Sequence, residues 1–131
     1  MSCSSRETRL VVAHPRSAGS VSIEAVLIIP LFLLTVFAIL EASLWVYASS
    51  VAQAAAQDGV RAGTAYGATA QDGQGLAEAI LHQRDSGTQW TVTATSGPAS
   101  LTVVVDGHAL TVVPGLNLVV HESATLPWER P

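Results

Sequence analysis

Charge is missing from Ala25 to Leu40, where the chain reads AVLIIPLFLLTVFAIL, and Leu44, Trp45, Val46 and Tyr47 prolong the apolar run. From Val21 to Tyr47 the stretch predicts a helix long enough to cross a hydrocarbon core of about 30 Å at about 1.5 Å per residue. Glu24 and Glu41 bracket it, and the helical rise sets them roughly 25 Å apart, one near each interface. Trp45 and Tyr47 then fall at the outer interface, where amphipathic rings are favoured. Pro30 removes the amide that would bond to the Val26 carbonyl, which predicts a kink. In lipid such a break calls for packing neighbours.

Beyond Tyr47 the residues become small, and the helix is expected to continue from Ala48 to about Tyr66. Ala55, Gly59, Gly63 and Gly67 recur every four residues and would form one thin ridge for close backbone approach. A glycine inside a helix costs about 0.5–1 kcal/mol relative to Ala, so several of them imply a packing reason. Its partner is either the chain's own sheet or a neighbouring subunit; the bland alternative is a helix that frays early into a loop at GTAYGATAQDG. Asp58 and Arg61 have the spacing of a surface ion pair. Gln71 to Gly75 reads as a turn, and Leu76 to Arg84 as a short helix with Leu76, Ile80 and Leu81 on one side.

The period then switches to two. Trp90 to Thr95 alternates apolar residues with threonines, the pattern of a half-buried strand, and Ser96-Gly97-Pro98 breaks it. Leu101 to Val105 and His108 to Val113 flank Asp106-Gly107, a strong hairpin signal. Pro114-Gly115 marks another turn before a strand from Leu116 to Thr125, with Leu116, Leu118 and Val120 on one face. The expected fold class is α+β: a long N-terminal transmembrane helix, then a short helix and a four-stranded antiparallel meander. The outer half of the long helix is the nearest cover for the sheet. No internal repeat or low-complexity tract competes with this plan.

The 131 residues contain six basic side chains, all Arg, against ten acidic ones. Arg6, Arg9 and Arg16 precede Gly19, and no base follows until Arg61, which predicts a cytoplasmic N-terminus and an exterior C-terminus. The remainder is acidic, which argues against a nucleic-acid partner. Cys3 is the one cysteine, so neither an intrachain disulfide nor a cysteine metal site is expected. His14, His82, His108 and His121 show no metal-ligand spacing; His121 adjoins Glu122, but strand neighbours point to opposite faces. No serine stands in a nucleophile elbow and no phosphate-cradling loop is present. The expectation is a protein without catalytic residues, metal or cofactor. Trp90 reads as core, and Trp128 as a surface or docking residue. A secretory signal peptide is the competing reading of the apolar run, with cleavage in ASSVAQAAAQ and a mature start near Ala52 to Gln57.

Immediately before the apolar helix stands Gly19-Ser20-Val21-Ser22-Ile23-Glu24, which resembles a prepilin cleavage site. The wider stretch resembles the TadE family of Flp (Tad) pilus pseudopilins. The matching pieces are the Ser-Val-x-x-Glu start, Ile-Pro-Leu within the span, Glu41 near its end, and Ala-Ala-x-Asp-Gly-x-Arg-Ala at 55–62. Flp-type sites commonly carry an aromatic after the Glu, where Ala25 stands here. The resemblance implies cleavage between Gly19 and Ser20 by a prepilin peptidase, making Glu24 the fifth mature residue. A carboxylate in an apolar segment is costly unless paired; by resemblance, Glu24 meets the new amine of a neighbouring subunit.

The implied organisation is a leader over 1–19, a transmembrane helix over 20–47, its extension over 48–67 and a small exterior pilin-like domain over 68–131. The implied role is that of a minor pilin or pseudopilin in a bacterial cytoplasmic membrane, able to enter an extracellular filament. Helix packing and assembly would use Glu24, Pro30, Glu41, Ala55, Gly59, Gly63 and Gly67. Expected partners are other pilins, the prepilin peptidase, the inner-membrane assembly platform and the lipid bilayer. The rivals are an uncut single-span adaptor and a secreted β-rich binding domain.

Overall fold

A computed structural model of the chain describes residues 18–130, with side chains from Ile23 onward. The expectations for Cys3, Arg6, Arg9, His14, Arg16 and most of the leader lie outside the described residues. The fold comprises α1 (Ala18–Thr64), α2 (Ala70–Arg84), β1 (Trp90–Ser96), β2 (Ser100–His108) and β3 (Val119–Pro127). The chain divides between Leu34 and Thr35 into two compact units. The described part of the first is helix alone, and α1 continues through Pro30. The second unit holds all the remaining elements.

Within that second unit α1 supplies Val51, Ala52, Ala55, Ala56 and Val60 to a core completed by Leu81 of α2 and by Leu101, Val103, Val105 and Val120 of the sheet. Burying each large aliphatic side chain contributes about 1.5–3 kcal/mol. α1 stops at Thr64, whose hydroxyl turns back to the Val60 carbonyl at 2.8 Å. The Glu129 amide donates to the Thr64 carbonyl at 3.2 Å, satisfying a group that the helix end leaves without an intrahelical partner. Gly67 lies beyond the helix at φ +80° and touches nothing nearby, so it belongs to the turn and not to the expected ridge.

α2 starts earlier than its apolar pattern suggests. Thr69 caps it: its side chain accepts from the Asp72 amide at 3.3 Å, while the Asp72 carboxylate accepts from the Thr69 amide at 2.7 Å. This capping box satisfies two otherwise orphaned donors and converts the expected turn at 71–75 into the first turns of the helix. The Thr69 hydroxyl, then the Thr69 amide, hold the Asp72 carboxyl below the ordinary carboxylate range. The buried face is Gly73, Ala77 and Leu81, with Ile80 packed beside it and Leu76 left exposed.

The sheet has three strands rather than the expected four, antiparallel in the order β1-β2-β3. Asp106-Gly107 makes no hairpin. Both residues sit inside β2, with Gly107 opposite Trp90. A Cβ on Gly107 would collide with Trp90 Cε3 and approach Cζ3 to 2.7 Å, so this glycine makes room for an indole and not for a turn. The segment His108–Val113 forms no partner strand, and Leu116 precedes β3 as an exposed residue. Pro114-Gly115 does turn: Gly115 has φ +89° and the Leu116 amide donates to the Val113 carbonyl at 3.3 Å. β1 shows the expected alternation, with Val92 buried and Thr91, Thr93 and Thr95 exposed.

Candidate assembly and membrane surface

In the described part of the first unit the side chains of α1 are bulky and almost all exposed. Ile23, Leu27, Leu31 and Leu34, at helical spacing, are 70%, 71%, 67% and 67% exposed, and Glu24 is exposed among them. Exposure of this extent along one helix exceeds what a water-soluble surface carries, and α1 is the one described helix long and apolar enough to span a bilayer. Large exposed apolar residues continue along the same helix, with Phe37, Ile39, Leu40 and Val46 in the second unit.

Glu41 behaves differently from Glu24. It is buried, 6% exposed, and its carboxylate accepts from the Val112 amide at 2.8 Å and the Val113 amide at 3.3 Å. Two charge-assisted hydrogen bonds offset the cost of enclosing the acid. At two positions of the expected fourth strand, Val112 and Val113, the amides are thus bound to a side chain of α1 and not to a sheet ladder. One turn on, Trp45 Nε1 donates to the Val119 carbonyl at 3.2 Å, and the Tyr47 hydroxyl donates to the Arg84 carbonyl at 3.3 Å. Ser49 donates to the Glu122 carboxylate at 2.5 Å, on the sheet face opposite His121, which is hydrogen-bonded to Asp106. The intramolecular use of Glu41 escaped the sequence reading. Its one signal was an uncharged stretch, ALTVVPGLNLVV, long enough to fold back onto the helix.

The small-residue ridge packs inside its own chain. A Cβ on Gly59 would lie 2.8 Å from the Gly73 carbonyl oxygen and 2.9 Å from Ala77 Cβ. A Cβ on Gly63 would strike Leu101 and come within 3.2 Å of Gly73 Cα. Ala55 is fully buried. Thus Ala55, Gly59 and Gly63 face α2 and the sheet, which answers which partner the ridge serves. Asp58 and Arg61 form the expected exposed pair at 3.6 Å, a contact of about 0.2–0.5 kcal/mol. Trp90 is partly buried against the core. Trp128 is not a free docking residue: its indole donates to the Gly97 carbonyl at 3.0 Å and its amide to the Ala99 carbonyl at 3.2 Å, pinning the β1–β2 turn. Among the described residues no cluster of His, Cys, Asp and Glu could hold a metal ion.

A long exposed apolar helix, followed by a small packed α+β unit, defines a single-pass membrane-anchored protein. Residues 19–61 match the family model described as TadE-like protein, which covers about a third of the chain. Over these residues the helix is similar to the TadE-like family, whose role is that of a structural pilin component of the Tad pilus system. No curated protein and no solved structure matches the chain.

Proposed function

We propose that this protein is a minor pilin or pseudopilin of a Tad-type pilus or secretion system, stored in the cytoplasmic membrane by α1 and packed through that helix into a filament or assembly complex. The observation that carries the reading is the coincidence of the TadE-like match with the exposed bulky surface of α1. Removing the helix from lipid exposes this surface, so neighbouring helices must cover it again. Each Leu or Ile so buried contributes roughly 1.5–3 kcal/mol. In this reading prepilin peptidase cuts between Gly19 and Ser20, and the new amine of one subunit answers Glu24 of another. A misregistered subunit would leave that carboxylate unpaired among apolar side chains, so Glu24 sets register. The three early arginines support an N-in, C-out orientation. The packed head, far more than a bare helix, supports a rare component over a main filament subunit.

Mass spectrometry of the cellular protein tests the processing step. A mature chain starting at Ser20 is expected, with Gly19→Asp retaining the precursor; residues 1–19 still attached to the wild-type protein would instead mean an uncut adaptor. For assembly, Glu24→Ala should insert into membranes normally and yet be depleted from purified filaments. Undiminished incorporation of that variant would remove the register role.

A further inference from the structure

Between β2 and β3 the chain crosses ten residues, Ala109 to Leu118, without a charge. Leu110, Val112, Val113 and Leu116 stand 53%, 48%, 39% and 46% exposed, and Val119 follows at 59%. Surface loops are normally polar because water solvates them, and a concentrated apolar surface marks a contact. Two further observations identify this contact. First, the loop is fastened to α1 where the apolar run ends: Glu41 accepts from Val112 and Val113, and Trp45 donates to Val119 one helical turn later. Exposed Leu40, Trp45 and Val46 lie along that same stretch of helix. Second, half of the loop's ten positions present no free amide. The Ala109 amide donates to the Leu118 carbonyl at 2.9 Å and the Leu116 amide to the Val113 carbonyl at 3.3 Å, the amides of Val112 and Val113 are held by Glu41, and Pro114 has none. A segment entering the edge of a bilayer needs that, since lipid offers no replacement for water.

We propose that loop 110–116 is a second membrane contact, an apolar wedge seated in the interfacial region of the bilayer beside α1, with Glu41 as the latch that sets its depth. Lipid is the occupant because Glu41 and Trp45 fasten the wedge to the stretch of α1 that carries exposed Leu40, Trp45 and Val46. The consequence is a head held at two points, which fixes its rotation about the helix axis in the membrane-stored state. The inference rests on α1 being the membrane span.

The test uses the full chain carrying Cys3→Ser, reconstituted at low density into phosphatidylcholine vesicles with and without brominated acyl chains. A fluorescent nitrobenzoxadiazole label is placed in turn at Ile28→Cys, Leu116→Cys and Thr93→Cys, the last on the exposed polar face of β1. Labels at 28 and 116 should emit to the blue and be quenched several-fold by brominated lipid, while the label at 93 is quenched by aqueous iodide. Adding Glu41→Ala should bring quenching at 116 down toward that at 93 and leave 28 unchanged. Lipid quenching at 28 but iodide quenching at 116 overturns the wedge and leaves the span intact. No lipid quenching at 28 overturns the span, and the wedge with it. A label at 116 shielded from both quenchers, and freed on dilution to one chain per vesicle, assigns the loop to a second copy and overturns lipid as its occupant.

Discussion

One helix carries two opposite habits. Along 23–40, α1 presents Leu, Ile, Val and Phe outward; along 48–64 it buries Ala48, Ala52, Ala55, Ala56, Gly59 and Gly63. Both sets of residues are uncharged and lack polar side chains, so polarity does not separate them. Side-chain size does. Lipid tails or loosely facing helices accept bulky residues anywhere on the cylinder, whereas the backbones of α1 and α2 approach too closely for even a methyl group at Gly59 and Gly73. The two acids repeat the contrast. Glu24 stands exposed and meets no partner among the described residues, while Glu41 is already engaged by two amides of its own chain.

The sharpest way to break the comparison is to add one methyl at two places on α2. A Cβ at Gly73 would meet the Gly59 carbonyl oxygen at 2.5 Å and Gly63 Cα at 3.1 Å, and these are backbone atoms that cannot swing aside. Gly73→Ala should therefore cost about 3 kcal/mol of head stability, at the upper end for overpacking. Gly75 lies two residues along the same helix with nothing near its missing side chain. Gly75→Ala should stabilise by about 0.5–1 kcal/mol through helix propensity alone. Urea unfolding of the full chain in detergent, followed by tryptophan fluorescence, reads both. Equal responses at the two sites would mean that close helix contact is not what the small residues serve.

A second experiment contrasts the two acids. Glu41→Ala strips two part-buried amides of their acceptor and should cost about 2 kcal/mol, the usual scale for losing hydrogen bonds to a charged group. Hydrogen exchange should accelerate at Val112 and Val113 first. Glu24→Ala should leave head stability and both exchange rates untouched. If Glu41→Ala also left them unchanged, the latch would carry no energy.

Much of this architecture is legible in the sequence. The span shows as a charge-free run, and the ridge at 55, 59 and 63 shows through spacing. β1 shows because Thr91, Thr93 and Thr95 mark a solvent face. What failed, failed where a residue has two physical uses. Asp106-Gly107 has the chemistry of a turn, but Gly107 serves Trp90, a residue far off in sequence, and local pattern contains no trace of that. His108–Val113 has the composition of a strand, yet the amides of Val112 and Val113 go to Glu41, a partner about seventy residues earlier. Gly67 fits the four-residue period and still lies past the helix end, because Thr64 and Gly67 build a stop there. The onset of α2 is legible in principle: Thr69 and Asp72 have capping-box spacing, but the polar and glycine residues at 71–75 mask the helix.

That cap gives the smallest expected loss of stability and the finest probe of the packed stretch, since Gly73 follows Asp72 directly. Thr69→Ala removes the acceptor of the Asp72 amide and should cost about 1 kcal/mol, as for other Thr caps. The reciprocal arm is pH-dependent. Hydrogen bonds from Thr69 lower the Asp72 pKa in the folded state, so the folded protein binds this proton less readily than the unfolded chain does. The stabilisation is therefore fully present above the ordinary carboxylate range and is lost as pH falls through the depressed value. Asp72→Asn should abolish that acid-side loss, and Thr69→Ala should shrink it. Amide exchange at Asp72 and Gly73, followed from pH 5 downward with correction for intrinsic rates, is the direct measure. Were the two variants to show the same acid dependence as the native chain, the cap would be geometric only, and the close approach at Gly73 would hold the start of α2 without help from its charge.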